Sequence, residues 1–413
     1  MLFVLALAVG AGAATGGTHL WFRHHLRAAR VAVDRGHNSE AIRHLVACRK
    51  VRPVHPEVLI LMARVAFRTG QPEEAEQILD EYWAEHGDDE PLVFERLRLR
   101  AARGELESAA PALIARIRAD GPDTAAAREA LITGLINRFR WAEAAQAIDD
   151  WLASDADSTT ALLLRGKLDE QKAVTDLAAA SYRRVLELDP DHDEARLRLA
   201  TVLLQRFYGE EALAHLDRLR ERLPESPEVA YQWVIALGLQ GRTAEAREAL
   251  EALLRAYPHH AGALAERGKY AALDRDDAAA ADYLGQSVRL DPGNLAVRHQ
   301  HAQALARMGK AAEAREAQAA IGRLKSDLDG MDRLIAGPLQ TNPNDPAIHY
   351  QIALIALRAG QPKEGLRWLQ SALQVDPNHL PSHQTLAGYY NATGNPVLAA
   401  RHRAIAQRLA AKQ

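Results

Sequence analysis

The chain repeats one short pattern along most of its length. Residues 70–82 read GQPEEAEQILDEY, and residues 360–372 read GQPKEGLRWLQSA. Between these copies the pattern keeps matching at a spacing of 34 residues. Its turn glycine recurs at Gly36, Gly70, Gly104, Gly241, Gly309, Gly360 and Gly394. A period of this length is typical of chains that stack one supersecondary unit many times, so the sequence predicts a repeat array.

Two further positions recur in register with the glycine. A small residue lies five positions after each turn, at Ala41, Ala75, Ala109, Ala144, Ala178, Ala212, Ala246, Ala280, Ala314, Gly365 and Ala399. A proline follows twelve positions later at Pro53, Pro190, Pro224, Pro258, Pro292 and Pro377. Glycine ends a first helix in the left-handed conformation, the small residue lets a second helix pack closely, and proline ends that second helix. Each unit is therefore predicted to be a pair of amphipathic helices.

This pattern resembles the tetratricopeptide repeat family in period, in helix–turn–helix order and in the residues at each position. The stretches ELDPDHDEA (187–195) and RLDPGN (289–294) are especially similar to the junctions between its repeats. The resemblance implies an all-α fold, a right-handed α-solenoid superhelix of about eleven repeats of 34 residues. It also implies that the first helix of each repeat lines a concave groove that binds another protein chain.

The register divides the chain into four segments. Residues 1–21 form an apolar N-terminal segment, 22–328 hold nine repeats, and 346–413 hold two more. Residues 329–345 are an insertion between the ninth and tenth repeats, and an apolar stripe at helical spacing enters it from Ile321 to Ile335. We expect this insertion to extend the preceding helix and to break the regular stack.

The N-terminal segment, MLFVLALAVGAGAATGGTHLWF, allows two interpretations. As a helix, residues Leu2–Phe22 are long enough to span a bilayer, and the arginines that follow at Arg23 and Arg27 favour the cytoplasmic side. This interpretation predicts a membrane anchor with cytoplasmic repeats. Alternatively, the short apolar run and the small residues Ala11 to Ala13 resemble a signal peptide, which predicts an exported, periplasmic protein.

Composition and motifs disfavour several classes of function. The net charge of −3 does not favour general binding to polyanions, so we expect no nucleic-acid partner. Cys48 is the only cysteine, which excludes an internal disulfide and a cysteine-rich metal site. The sequence has no P-loop, HExxH or dinucleotide-binding motif, and His379 and His383 are separated by Pro381 at a helix entry. We therefore expect no enzyme activity, no cofactor and no metal.

Arginine occupies the ninth position of the first three repeats. Stacked helices lie about 8–10 Å apart, so these residues are expected to form a ladder of guanidinium groups on the concave face. Arginine forks suit carboxylates, which predicts a partner with an acidic segment. The alternative is a solvated arginine face. The residues concerned are Arg30, Arg64 and Arg98, with Arg68 close by and Phe67 and Phe94 interleaved.

In the central repeats the concave positions are apolar. The fifth position holds Leu163, Leu197 and Tyr231, and Ile235 lies one turn beyond Tyr231. Apolar side chains in a groove open to water are candidates for contact with a peptide. They are also compatible with the core of a tightly wound superhelix.

From these features we expect a membrane-tethered, non-catalytic scaffold that binds protein or peptide partners in its groove. The alternative is a structural subunit or assembly factor of a larger envelope complex. For that alternative the candidate contacts are the long helix 311–336 and the open face of the last helix, 395–411, which is also a candidate for self-association.

Overall fold

The computed structural model describes the backbone of residues 2–411 and the side chains of residues 18–411, and this part of the chain contains helices but no strand. The first helices of the repeats are α1 (Leu2–Asp34), α3 (Pro56–Arg68), α5 (Glu90–Ala102), α7 (Thr124–Asn137), α9 (Thr159–Gln171), α11 (Asp193–Gln205), α13 (Pro227–Leu239), α15 (Ala261–Leu273), α17 (Leu295–Arg307), α20 (Pro346–Arg358) and α22 (Leu380–Ala392). The second helices are α2 (Asn38–Val51), α4 (Pro72–His86), α6 (Leu106–Ala119), α8 (Trp141–Ser154), α10 (Thr175–Leu188), α12 (Gly209–Arg222), α14 (Thr243–Ala256), α16 (Asp277–Leu290), α18 (Ala311–Ala336), α21 (Pro362–Val375) and α23 (Pro396–Ala410). A short helix, α19 (Pro338–Thr341), follows α18. The all-α helical repeat fold predicted from the sequence is confirmed.

The helices form two compact units. The first comprises residues 1–202 and the second residues 203–413, so the boundary falls inside α11. Repeats 1–5 (α1 to α10) belong to the first unit. Repeats 7–11, from α13 onward, belong to the second. The division into four segments made from the register of the sequence stays a prediction.

The turn between the two helices of a repeat keeps the same backbone conformation throughout. All seven turn glycines have a positive φ, between 71° at Gly241 and 87° at Gly104. In the four repeats without the glycine, another residue at the same position takes up the left-handed conformation, with φ between 56° and 62°. These residues are Phe139, Ala173, Phe207 and Arg275. The repeat geometry therefore overrides the usual steric preference of these side chains.

Close packing within a repeat depends on its small residues. Ala41 is fully buried in the first repeat, where it packs with Phe22, Leu45 and Cys48. In the fifth repeat, a Cβ atom at Gly166 would lie 2.3 Å from the ring of Tyr182, so only glycine fits there. The two helices of a pair can pack closely because the small residue on one helix leaves room for the larger side chains of the other.

The insertion before repeat 10 lengthens a helix. α18 has 26 residues, whereas α16 has 14, and it packs against α20. The turn of repeat 10 comes to lie against the junction between α16 and α17: a Cβ atom at Gly360 would be 2.6 Å from Cβ of Pro292. Repeat 10 is therefore packed against a repeat that is not its neighbour in sequence.

No helix among the described residues is both long and apolar enough to cross a membrane. The predicted anchor or signal segment, 1–21, falls mostly on residues whose side chains lie outside the described part of the chain. Both interpretations of that segment stay predictions.

Candidate functional site

Each of the three arginines predicted to form the ladder is paired with a glutamate of the next repeat. Nε of Arg30 donates to Glu57 at 2.8 Å, and Nε of Arg64 donates to Glu95 at 2.6 Å. Arg98 corrects the expectation of an open ladder, because its side chain is only 1% exposed. Its guanidinium donates to Glu95 at 2.8 Å and to Glu129 at 3.1 Å. The ladder links neighbouring repeats of the first unit to one another.

Arg68 makes the most extensive of these contacts. Its Nε and Nη2 atoms donate to the two carboxylate oxygens of Glu129 at 2.8 and 2.9 Å, and Nη1 donates to the carbonyl oxygen of Val33. Burial alone would raise the pKa of Glu129, but Arg68 and Arg98 outweigh it and lower that pKa to about 2. Glu129 is therefore charged at neutral pH, and its carboxylate joins repeats 2, 3 and 4, while Arg68 adds a bond to repeat 1.

The two phenylalanines belong to the same network. Phe94 is 1% exposed, and the guanidinium of Arg116 lies 4.5 Å from its ring centroid. The guanidinium of Arg98 lies 5.4 Å from the ring of Phe67. The aromatic rings thus support the arginines by cation–π contacts inside the first unit.

Near this network the turn of repeat 1 contacts the junction before α11, within the first unit. Nε2 of His37, in the turn of repeat 1, donates to Asp189 at 2.6 Å, in the junction before α11. The same turn meets the ring of His192, because a Cβ atom at Gly36 would lie 3.0 Å from its Nε2. The cavity beside these contacts measures about 70 Å³. It is lined by Phe67, Arg68, Glu129, Leu163, Lys167 and Glu194. Such a volume holds a few water molecules and no peptide.

The apolar positions of the central repeats are also partly used by the fold. In the first unit Leu163 is 7% exposed and lines the small cavity, and Leu197 is half-buried. In the second unit Tyr231 packs on the start of α15, where a Cβ atom at Gly262 would lie 2.6 Å from its ring. Burial, and then Glu266, raise the pKa of Tyr231 to about 12. Ile235 is half-buried, and partner contact at these four residues stays a prediction.

An open groove lies at the C-terminal end of the second unit. Its larger part, a cavity of about 640 Å³, is bordered by α20 and α22 on one side and by the junction after α16 on the other. The lining residues include Arg289, Leu290, Pro292, Leu357, Thr385 and Tyr389. Leu290 is 46% exposed. We call this cavity and the adjoining one, described next, the C-terminal groove.

A second cavity, of about 390 Å³, adjoins the first at Gly388 of α22. Gly388 lines both cavities, and a Cβ atom there would meet nothing within 4 Å. The second cavity lies between α22 and the last helix, α23, and is lined by small residues, amides and one cation. These are Gln384, Ala387, Asn391, Arg403, Ala406, Gln407 and Ala410. Sequence reasoning indicated the open face of α23 but missed the larger cavity, because that cavity depends on how the insertion places repeat 10.

The histidines noted in the sequence are bound within their own repeats. His379 shares a hydrogen bond with Ser382 at 2.8 Å, and Nδ1 of His383 lies 2.9 Å from Nδ1 of His402. Within the described residues, no group of three or more histidine, cysteine, aspartate or glutamate side chains is arranged to hold a metal ion.

The glutamates that neutralise the ladder were missed from the sequence, although a signal for them was present. Glu95 and Glu129 are 34 residues apart, as are Arg64 and Arg98. Acidic and basic residues that recur at the same period as the repeats are expected to meet across neighbouring repeats. The link from Arg68 to Glu129 has no such signal, because it depends on how tightly the first unit winds.

Comparisons with known proteins identify the repeats. A tetratricopeptide repeat model matches residues 32–97 and 175–233, and a second tetratricopeptide repeat model matches residues 231–294. A TPR repeat-containing protein of Pseudomonas aeruginosa is 29% identical over 221 residues, which are 52% of this chain and 34% of that protein. The chain thus spans about a third of the length of the curated relative it matches.

Solved structures with similar folds include two repeat proteins. PilW, a widely conserved type IV pilus biogenesis factor, is 21% identical and aligns with a TM-score of 0.43, covering 48% of this chain and 92% of its own. The APC/C hetero-tetramer Cut9–Hcn1 aligns with a TM-score of 0.47 at 14% identity, covering 90% of this chain and 68% of its own. Together with the repeat models and the curated relative, the helix pairs and their turn geometry lead to one conclusion: the chain belongs to the tetratricopeptide repeat family.

Proposed function

We propose that the protein is a non-catalytic scaffold that binds a protein partner through the C-terminal groove. The observation that carries this proposal is a pair of adjoining cavities, of about 640 and 390 Å³, that share Gly388 as a lining residue. A Cβ atom at Gly388 would meet nothing within 4 Å, so this residue places no side chain in either cavity. A groove of this size accepts several residues of an extended chain, and apolar surface that is open to water is typical of interaction sites.

The first unit is less suited to hold a partner on its inner face. Arg98 and Glu129 are buried, Arg68 is half-buried, and both arginines are ion-paired with Glu129. An incoming carboxylate would have to displace Glu129, which would leave a buried charge without its partner. The side chains of Arg30 and Arg64 are 56% and 22% exposed. Binding of an acidic segment of a partner to these two arginines therefore stays a prediction.

The strongly perturbed carboxylates support a structural role for the charged residues. Burial alone would raise the pKa of Glu194, but Lys167 and Arg198 lower it to about 2, as two arginines do for Glu129. A carboxylate held as an anion by two cations is a poor general acid or base near neutral pH. We therefore attribute these residues to folding and propose no reaction for them.

The test is to fill the groove without disturbing the fold. Gly388→Trp adds a large side chain where a Cβ atom would meet nothing within 4 Å. Gly322→Trp does the same on the exposed face of α18, at a residue that lines neither cavity. Partners captured from the native host by the unaltered protein should be lost with Gly388→Trp and retained with Gly322→Trp. Equal capture by both variants, with unchanged circular dichroism, would contradict binding in the groove.

Tethering to the membrane through residues 1–21 is a separate proposal, supported by the apolar run and the arginines that follow it. Membranes washed with carbonate should retain the protein, and its N-terminal peptide should begin at Met1. A mature N-terminus near Ala14 would favour export instead.

The alternative function, a permanent subunit or assembly factor of a larger envelope complex, would use the exposed face of helix α23. It predicts that the protein elutes from native membranes as a complex of fixed stoichiometry. A scaffold with exchangeable partners would release them on dilution.

A further inference from the structure

We propose that the C-terminal groove recognises an extended acidic segment of a protein partner, in which an apolar side chain enters the larger cavity and carboxylates on either side of it bind Arg289 and Arg403. This inference rests on the proposed function and names the chemistry of the partner.

The charges that line the groove have one sign. Arg289 lines the larger cavity and Arg403 lines the smaller one, whereas no aspartate or glutamate lines either. Both arginines are exposed. The groove therefore carries two cations whose field is not cancelled by a carboxylate on its own walls.

The two guanidinium groups are also available. Among the described residues neither Arg289 nor Arg403 has an ion pair or a hydrogen bond, unlike the arginines of the first unit. Nearby Arg298, by contrast, donates to the carbonyl oxygen of Pro292 at 2.6 Å. A free guanidinium at the edge of a cavity favours a carboxylate, because its fork can form two parallel hydrogen bonds.

The wall of the larger cavity is mostly apolar. Leu290, Leu357 and Tyr389 face a cavity of about 640 Å³, and Pro292 and Pro362 complete its rim. This volume exceeds that of a single leucine or phenylalanine side chain. An apolar residue of the partner would remove water from Leu290, which is 46% exposed in the free protein.

The smaller cavity provides hydrogen bonds for a main chain. The amide side chains of Gln384, Asn391 and Gln407 line it and have no hydrogen-bond partner among the described residues. An amide side chain donates and accepts, as a peptide bond does, so it pairs with an extended backbone. Because the two cavities adjoin at Gly388, one extended chain can occupy both, which favours acidic side chains within a segment over a single terminal carboxylate.

The binding test uses peptides of defined composition on an array and in fluorescence anisotropy. Each decapeptide is acetylated and amidated, and carries one apolar residue (Leu, Ile, Met, Phe or Tyr) with two Glu, two Gln or two Lys on each side. At least one Glu peptide should bind tenfold or more tightly than its Gln counterpart at low salt, and added salt should reduce that difference. The corresponding Lys peptide should not bind.

The variants assign the contacts. Arg289→Gln together with Arg403→Gln should abolish the preference for Glu over Gln, whereas Arg255→Gln, an exposed arginine elsewhere in the second unit, should leave it unchanged. Replacing the apolar residue of the peptide by alanine should weaken binding with little dependence on salt. Gly388→Trp should abolish binding of every peptide.

Three outcomes would overturn the inference. The first is that no Glu peptide binds better than its Gln counterpart. The second is that the preference survives in the double arginine variant. The third is that a Gln peptide with a free C-terminal carboxylate binds as well as the best Glu peptide. In each case the proposed function stands if capture of native partners still depends on Gly388, and it fails separately if capture does not.

Discussion

Arg68 and Glu129 lie 61 residues apart in sequence and are joined by two parallel hydrogen bonds, at 2.8 and 2.9 Å. The pair links the end of α3 to α7, and so repeat 2 to repeat 4. Arg98 adds a third hydrogen bond to the same carboxylate at 3.1 Å. In this protein the arginines that were predicted to bind an acidic ligand instead form ion pairs with glutamates of the same chain.

This arrangement predicts a large loss of stability when one partner is removed. Arg68→Ala leaves the buried Glu129 with one cation fewer, and should lower the free energy of unfolding of the first unit by about 3–5 kcal/mol. Arg30→Ala is the matched control, since its side chain is 56% exposed, and should cost about 1 kcal/mol or less. The loss of stability in the two variants can be compared by measuring amide hydrogen exchange in α5 and α7 as a function of denaturant concentration. Similar small effects for both variants would mean that the buried network contributes little.

The same network predicts how stability depends on pH. The pKa of Glu129 is near its ordinary value of 4.5 in the unfolded chain and about 2 in the fold. A lowered pKa in the folded state contributes stability that is fully present above about pH 5 and is lost as the pH falls toward 2. Melting temperatures between pH 7 and pH 3 should therefore fall steeply. Glu129→Gln should start lower and fall less steeply, and a parallel pH profile for the variant would contradict the assignment.

Two turn glycines separate backbone strain from tertiary contact. Gly36 and Gly70 have nearly the same φ, 75° and 76°, so an alanine at either position should cost about 1–2 kcal/mol. Only at Gly36 does the added Cβ press on His192, at 3.0 Å, whereas at Gly70 it meets nothing within 4 Å. Gly36→Ala should therefore cost about 1–3 kcal/mol more, and exchange should increase around residues 189–192. Equal costs would mean that the contact adds nothing.

A substitution in the opposite direction should stabilise the protein. Ala173 takes the turn position with φ of 56°, so Ala173→Gly relieves strain of about 1 kcal/mol. Ala319→Gly, at an exposed site inside α18, is the control and should destabilise by about 1 kcal/mol. Thermal unfolding shows whether each variant is more or less stable than the unaltered protein. A loss of stability with Ala173→Gly would contradict the prediction.

Local rules made most of the fold predictable from the sequence. Whether a helix ends at a glycine, or packs closely at an alanine, depends on residues within one helix pair, so Gly70, Ala75 and their counterparts indicate the repeat directly. Even the turns without glycine could be placed by register. Ala173 and Phe207 adopt the required left-handed conformation because the packing of the two helices outweighs its modest cost.

The sites were less predictable, because a partner for a charge or a wall for a cavity comes from distant parts of the chain. The sequence by itself determined which residues face the inside of the repeats, including Arg64, Arg98 and Leu163, since helical periodicity assigns a face. Only the tertiary structure decided that Arg68 meets Glu129, because that contact depends on how tightly the first unit winds. It also decided that Pro292 and Tyr389 border the same cavity. That contact depends on the 26-residue helix α18, which precedes repeat 10, and on the packing of the turn of repeat 10 against Pro292.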